Sequence, residues 1–164
     1  MEGHGDTENN NAHASEAVSR GNGVVTLDTI TTRECVDLLR ESTVGRLGVT
    51  DRAMPMILPV NFQVYNDWVV VRTVPGSTMA EAARNSVVAF EVDQADFSKR
   101  TGWSVVVVGH ASLISGGPVF ETLCGLDLLA WAPHEEDGFL VIKMERVSGR
   151  RLAIAAESGT GIQK

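Results

Sequence analysis

Arg72, Ser77 and Thr78 are the residues of this chain whose types and spacing suggest chemistry. They lie in the stretch Trp68 to Asn85, WVVVRTVPGSTMAEAARN. Its first part, Trp68 to Thr73, is a β-branched and aromatic run of strand length, and its later part, Met79 to Arg84, favours helix. Pro75-Gly76 marks a turn between the two. An arginine at a strand end, hydroxyls at a helix start and the unpaired N–H groups of that first turn together make a site for a phosphate. The plain alternative is a capped helix start that binds nothing. Thr78 and Glu81 have the spacing of a capping box, and the chain holds no GxxxxGK[ST] loop.

Positioning such a site takes a sheet. Strand-like runs occur at Gly45 to Val49, Met56 to Val64, Trp68 to Thr73, Val87 to Asp93, Trp103 to Ile114 and Phe139 to Val147. Thr50 to Pro55 and Asn66-Asp67 are hairpin turns, so the first three runs pair antiparallel. A helix from Thr32 to Glu41 precedes them, with Thr31 and Glu34 at capping-box spacing and Ile30 and Cys35 placed as a hydrophobic staple. Further helices are expected at Met79 to Arg84 and at Val119 to Ala130, where Pro118 suits a first helical position. The fold class is therefore mainly β with flanking helices. Six strands with so few helices favour a closed or nearly closed barrel, since closure removes exposed edges.

Other reactive residues have blander readings. Cys35 falls on the same helix face as Leu38 and Leu39 and reads as core filling. Cys35 and Cys124 stand far apart and outside any C-x-x-C pair, which suggests neither a disulfide framework nor zinc. His110 shares an alternating strand face with Ser104, Val106 and Val108 and reads as a hydrogen-bonded structural residue. His4 and His13 belong to a polar tail, and the acidic loop Pro133 to Gly138 matches no calcium loop. No metal site is expected, and no residue stands out as a catalytic base.

Composition limits the function classes. A formal net charge of -7 and a pI near 5.0 argue against nucleic-acid and anionic-membrane partners, which need a surplus of Lys and Arg. The 43% apolar content over 164 residues supports a single core. No leader or spanning run is evident, and the cysteine usage fits a cytoplasmic location. Residues 1–23 read as a disordered tail, 24–152 as the domain and 153–164 as a flexible C-terminal tail, with fraying from Gly149 onward.

Taken in order, Gly45-Arg46-Leu47-Gly48, Pro59-Val60-Asn61, Arg72-Thr73 with Gly76-Ser77, Phe90-Glu91-Val92-Asp93, Gly102-Trp103-Ser104-Val105 and Gly149-Arg150-Arg151 resemble the pyridoxamine 5′-phosphate oxidase-like family of flavin-binding split barrels. The resemblance spans about Thr31 to Leu152 and implies a six-stranded antiparallel split β-barrel of Greek-key type. It also implies a homodimer with FMN at the interface and oxidoreductase activity on a small-molecule substrate. By that resemblance Arg72, Thr73, Ser77 and Thr78 surround the phosphate, and Pro59, Val60 and Asn61 lie along the isoalloxazine. Trp103 and Ser104 contribute from a neighbouring strand, and Trp131 and Arg150 reach in from the partner subunit. Two departures stand out: Thr78 replaces the lysine usual after the serine, and Arg151-Leu152-Ala153 lacks the Arg-x-His of true pyridoxamine phosphate oxidases. The alternative the resemblance leaves open is a non-catalytic module holding flavin, a deazaflavin cofactor or haem.

Overall fold

The computed structural model of the protein describes residues 16–19, 24–128 and 138–155. The chain runs through β1 (Glu16–Ser19), β2 (Val24–Ile30), α1 (Thr32–Glu41), β3 (Val44–Asp51), β4 (Met54–Tyr65) and β5 (Trp68–Thr73). It continues through α2 (Thr78–Ala83), β6 (Val87–Asp96), β7 (Thr101–Ile114), α3 (Gly117–Cys124), β8 (Gly138–Lys143) and β9 (Arg146–Ala155).

Two-residue loops build the first hairpins. Asp51 pairs with Met54 and Tyr65 with Trp68, so Arg52-Ala53 and Asn66-Asp67 are the turns. Arg52 and Ala53 both take positive φ, which matches the twist of the flanking strands. The chain then crosses over through α2, and β6 pairs with β3 rather than β5. The resulting order β6-β3-β4-β5 is a Greek key. β8 closes the ring by pairing with β5 on one side and β7 on the other, giving a six-stranded antiparallel barrel of β3 to β8. β9, β2 and β1 extend the sheet beyond β7.

The barrel is filled by alternating residues of these strands. Leu47, Val60, Phe62, Val69, Val71, Phe90, Val105, Val107 and Ile142 belong to one core cluster, with Phe62 and Phe90 in edge-to-face contact at 4.7 Å. α1 closes one side: Thr31 accepts from the Glu34 N–H as N-cap, and Cys35 and Leu39 are fully buried. α3 lies outside the barrel, where Leu123 is buried with Val70, Phe139 and Val141.

Four expectations are revised. The run Phe139 to Val147 is two strands. Ala111 pairs with Ile142 and Val108 with Arg146, so three residues, Lys143 to Glu145, face the two residues Gly109 and His110 across a bulge. A Cβ on Gly109 would meet the Lys143 carbonyl oxygen at 1.7 Å, so the close approach there requires glycine. The segment after Gly149 continues as β9 to Ala155, held on both sides by β2 and β7, because Gly149 lets Cys35 and Ile30 pack directly on the strand. The third helix stops at Cys124, where the Gly125 N–H turns back to the Thr122 and Leu123 carbonyls; the expected extension toward Ala130 stops short at this glycine. A strand, β1, lies inside the segment read as an N-terminal tail, paired with β2.

Candidate functional site

β5 and the start of α2 carry the first group of candidate residues. Val69 and Val71 point into the barrel and Thr73 follows them, buried at the strand's end. Beyond it the Ser77 N–H bonds the Val74 carbonyl, and Gly76 takes φ +83, a left-handed turn conformation that glycine adopts without strain. Ser77 is the N-cap of α2, its Oγ accepting from the Ala80 N–H at 3.2 Å and lying 3.3 Å from Thr73 Oγ1. Thr78 is the first helical residue and is exposed. The expected Thr78–Glu81 capping box is not the one used: Ser77 is the cap, and Glu81 pairs instead with Arg84 at 2.9 Å.

Arg72 faces the opposite way from Thr73. It is half-buried on the barrel's outer surface, and its Nη1 donates to the Leu128 carbonyl at 3.5 Å. One step beyond the Phe62–Val71 pair, Asn61 of β4 and Arg72 of β5 flank each other on that outer face. Gln63 follows Asn61 on the same face and is paired with Val70. A cavity of about 260 Å³ opens there, lined by Arg40, Ser42, Asn61, Gln63, Asp127 and Leu128 among others. Gln63 Oε1 is buried and, among the described residues, accepts no hydrogen bond. Sequence reasoning overlooked Gln63, although a polar residue alternating with Phe62 and Val64 signals an outward-facing position.

Of the other β4 candidates, Pro59 is exposed and paired with Arg46, whereas the Val60 side chain is buried in the barrel core. Any contact of Val60 with an outer-face ligand is therefore through its backbone.

Trp103, Ser104 and Arg150 form a second group. Ser104 lies between Asp93 of β6 and Arg150 of β9 in the strand register, on the outer face. Trp103 points to the other face, packs against the core and donates its indole N–H to Gln94 Oε1 at 3.2 Å. These residues border a cavity of about 570 Å³ with Leu27, Leu152 and the 90% exposed Phe97. Between β4 and β7 lie β3 and β6, so Asn61 and Ser104 are three strand spacings, about 14 Å, apart across the sheet. One chain thus holds two separate groups of candidate residues. Trp131 lies outside the described residues.

The remaining reactive side chains serve structure. Cys35 is fully buried, and burial pushes its thiol up from the usual value, as befits core filling. His110 is exposed, and its Nδ1 sits 2.9 Å and 3.1 Å from the two Glu145 carboxylate oxygens beside the bulge. On the outer face Arg46 pairs with Glu91 at 2.9 Å and with Asp93, and both carboxylates push its guanidinium pKa further up. Among the described residues no three His, Cys, Asp or Glu side chains gather to hold a metal, and no helix is long and apolar enough to cross a membrane.

A closed Greek-key barrel of six antiparallel strands, extended by β9, with an arginine and a capped helix start at one strand's end, defines the split-barrel fold of flavin-binding proteins. Residues 31–151 match the pyridoxamine 5′-phosphate oxidase family, and the chain belongs to that family. The uncharacterized protein Rv0080 of Mycobacterium tuberculosis is 37% identical over 132 residues, covering 77% of this chain and 85% of its own. The FAD binding protein from Mycobacterium smegmatis superposes with a TM-score of 0.65 at 32% identity, over 75% of this chain and 98% of its own. The FAD and heme binding protein from the same organism shares the fold at 16% identity, with a TM-score of 0.58 over 74% of this chain and 72% of its own.

Proposed function

We propose that the protein is an FMN-dependent oxidoreductase acting on a small molecule in the cytoplasm, with the flavin held between two copies of the chain. The observation that carries this reading is the meeting of Thr73 Oγ1 and Ser77 Oγ at the start of α2, one residue from Arg72, within a flavin-family barrel. Hydroxyls, helix-start N–H groups and a cation suit a phosphate ester. The orphaned Gln63 acceptor and the cavity before it leave polar room for a ring on the same face. A bound flavin would supply the electron or hydride transfer, while Arg72 and Ser77 hold its phosphate and Asn61 and Pro59 border the ring.

The spacing of the two groups of residues supports a dimer. Ser104 and Arg150, on the outer face, are too far across the sheet from Asn61 and Arg72 to border one flavin ring in one chain, and a two-fold partner would supply them. The outer face of these strands suits such a partner: Val44 is 48% exposed on it beside Asn61, and Ile57 and Val87 are 73% and 59% exposed toward its other end. Sedimentation at micromolar concentration should give a dimer, and a monomer would contradict this part of the reading.

A second reading is a flavin, deazaflavin or haem carrier without turnover. It is favoured by Thr78, an exposed hydroxyl at the helix start where a lysine would add a cation. His110 is the histidine available to a haem among the described residues. The names of the Mycobacterium smegmatis proteins also make FAD a candidate in place of FMN. A visible spectrum of the purified protein before and after adding FMN, FAD or haemin separates these cases. Flavin bands shifted on binding support the proposal, and a Soret band with no flavin uptake contradicts it.

A further inference from the structure

Gln63 is unusual among the polar residues described. It sits in β4 between Phe62 and Val64, its Oε1 is buried, and no donor among the described residues reaches that oxygen. Buried polar atoms are ordinarily paired, so an orphan beside a cavity marks a place where a partner belongs. The cavity, about 260 Å³, is several times the roughly 30 Å³ share of one water molecule. It has room for the edge of a ring.

The chemistry of a carboxamide narrows what that edge can be. Gln63 offers an acceptor and a donor side by side. Its complement is a group that presents an N–H beside a C=O, as an amide or imide does. Phosphates and carboxylates carry no donor for Oε1, and with Arg40 and Asp127 both on its lining the cavity favours neither sign of charge. The pyrimidine ring of flavins and deazaflavins has such an imide edge, and haem has none. The placement agrees. Gln63 is level with Val70, and three residues along β5, about 10 Å, separate that level from Thr73. The ribityl chain of a flavin mononucleotide spans such a gap, and Leu128 links the two ends by lining the cavity and accepting from Arg72.

We propose that the Gln63 carboxamide pairs with the imide edge of the flavin ring and so selects isoalloxazine-type rings over other planar cofactors. This rests on the flavin reading above and adds a residue to it. The full chain and its Gln63→Met variant are titrated with FMN and with FMN methylated at the ring imide nitrogen, and both proteins are melted without ligand. The wild type should bind FMN at least tenfold more tightly than the methylated form. The variant should bind the two alike, and its ligand-free melting temperature should be no lower, since the orphan oxygen is gone. Equal affinity of the wild type for both flavins would show a merely hydrated cavity and overturn the assignment while leaving the flavin reading intact, and this arm holds even if the variant misfolds. A wild type that takes up neither flavin would overturn both.

Discussion

Thr73 Oγ1 lies 3.3 Å from Ser77 Oγ, which ties the buried end of β5 to the residue that caps α2. Ser77 therefore serves the helix and the proposed phosphate site at once. Ser77→Ala should cost about 1 kcal/mol of stability through the lost cap. It should also weaken FMN more than riboflavin, which lacks the phosphate. Denaturant unfolding without ligand measures the first effect and paired titrations the second. Equal weakening of both flavins would reduce Ser77 to a helix cap.

Much of the architecture can be read from alternation and turn residues alone. Trp68–Thr73 and Thr32–Glu41 have the expected bounds because their patterns are uninterrupted and their caps local. The same alternation places Val60 inward with Phe62 and leaves Asn61 and Gln63 outward, a signal present in the sequence and not used for Val60. Gly125 likewise announces the end of α3. The break between β8 and β9 has no local sign, since FLVIKMERV contains neither Gly nor Pro. It arises where β8 must meet the far half of β7 and β9 the near half, and Gly109 on the opposite strand makes room for it. The separation of Asn61 from Ser104 is likewise a property of strand order, invisible until β3 and β6 are placed between them.

Thr78 is exposed, and Ser77 rather than Thr78 is the cap. Thr78→Lys should therefore leave the cap intact, at a cost of about 0.3–1 kcal/mol from a cation at a helix start. With phosphate bound, that cation should instead tighten FMN by about 1 kcal/mol at low salt, the upper end for an exposed pair. The gain should shrink as salt is added. FMN titrations at two ionic strengths test this, and unchanged affinity at both would mean that Thr78 does not face the phosphate.

The hydrogen bond from His110 holds the Glu145 carboxyl below its ordinary value of 4.5. A carboxyl with a lower pKa folded than unfolded stabilises the fold fully above 4.5 and loses that contribution as pH falls through its folded value. Both side chains are exposed, so the effect is small. Glu145→Gln should flatten the fall in stability below pH 4.5 relative to the wild type. Denaturant midpoints measured across that range check the slope, and parallel curves for the two proteins would assign the acid loss to other carboxyls.

The central claim is that Arg72 and the start of α2 recognise a flavin phosphate. The most direct measurement compares dissociation constants for FMN and riboflavin in the wild type and in Arg72→Ala, with folding of both verified by circular dichroism. The account predicts that the wild type prefers FMN and that Arg72→Ala weakens FMN by about 1.5–3 kcal/mol, the worth of a charge-assisted hydrogen bond, while riboflavin affinity barely changes. Equal affinity of the wild type for the two flavins, or an Arg72→Ala variant that binds FMN as tightly as the wild type, would contradict it.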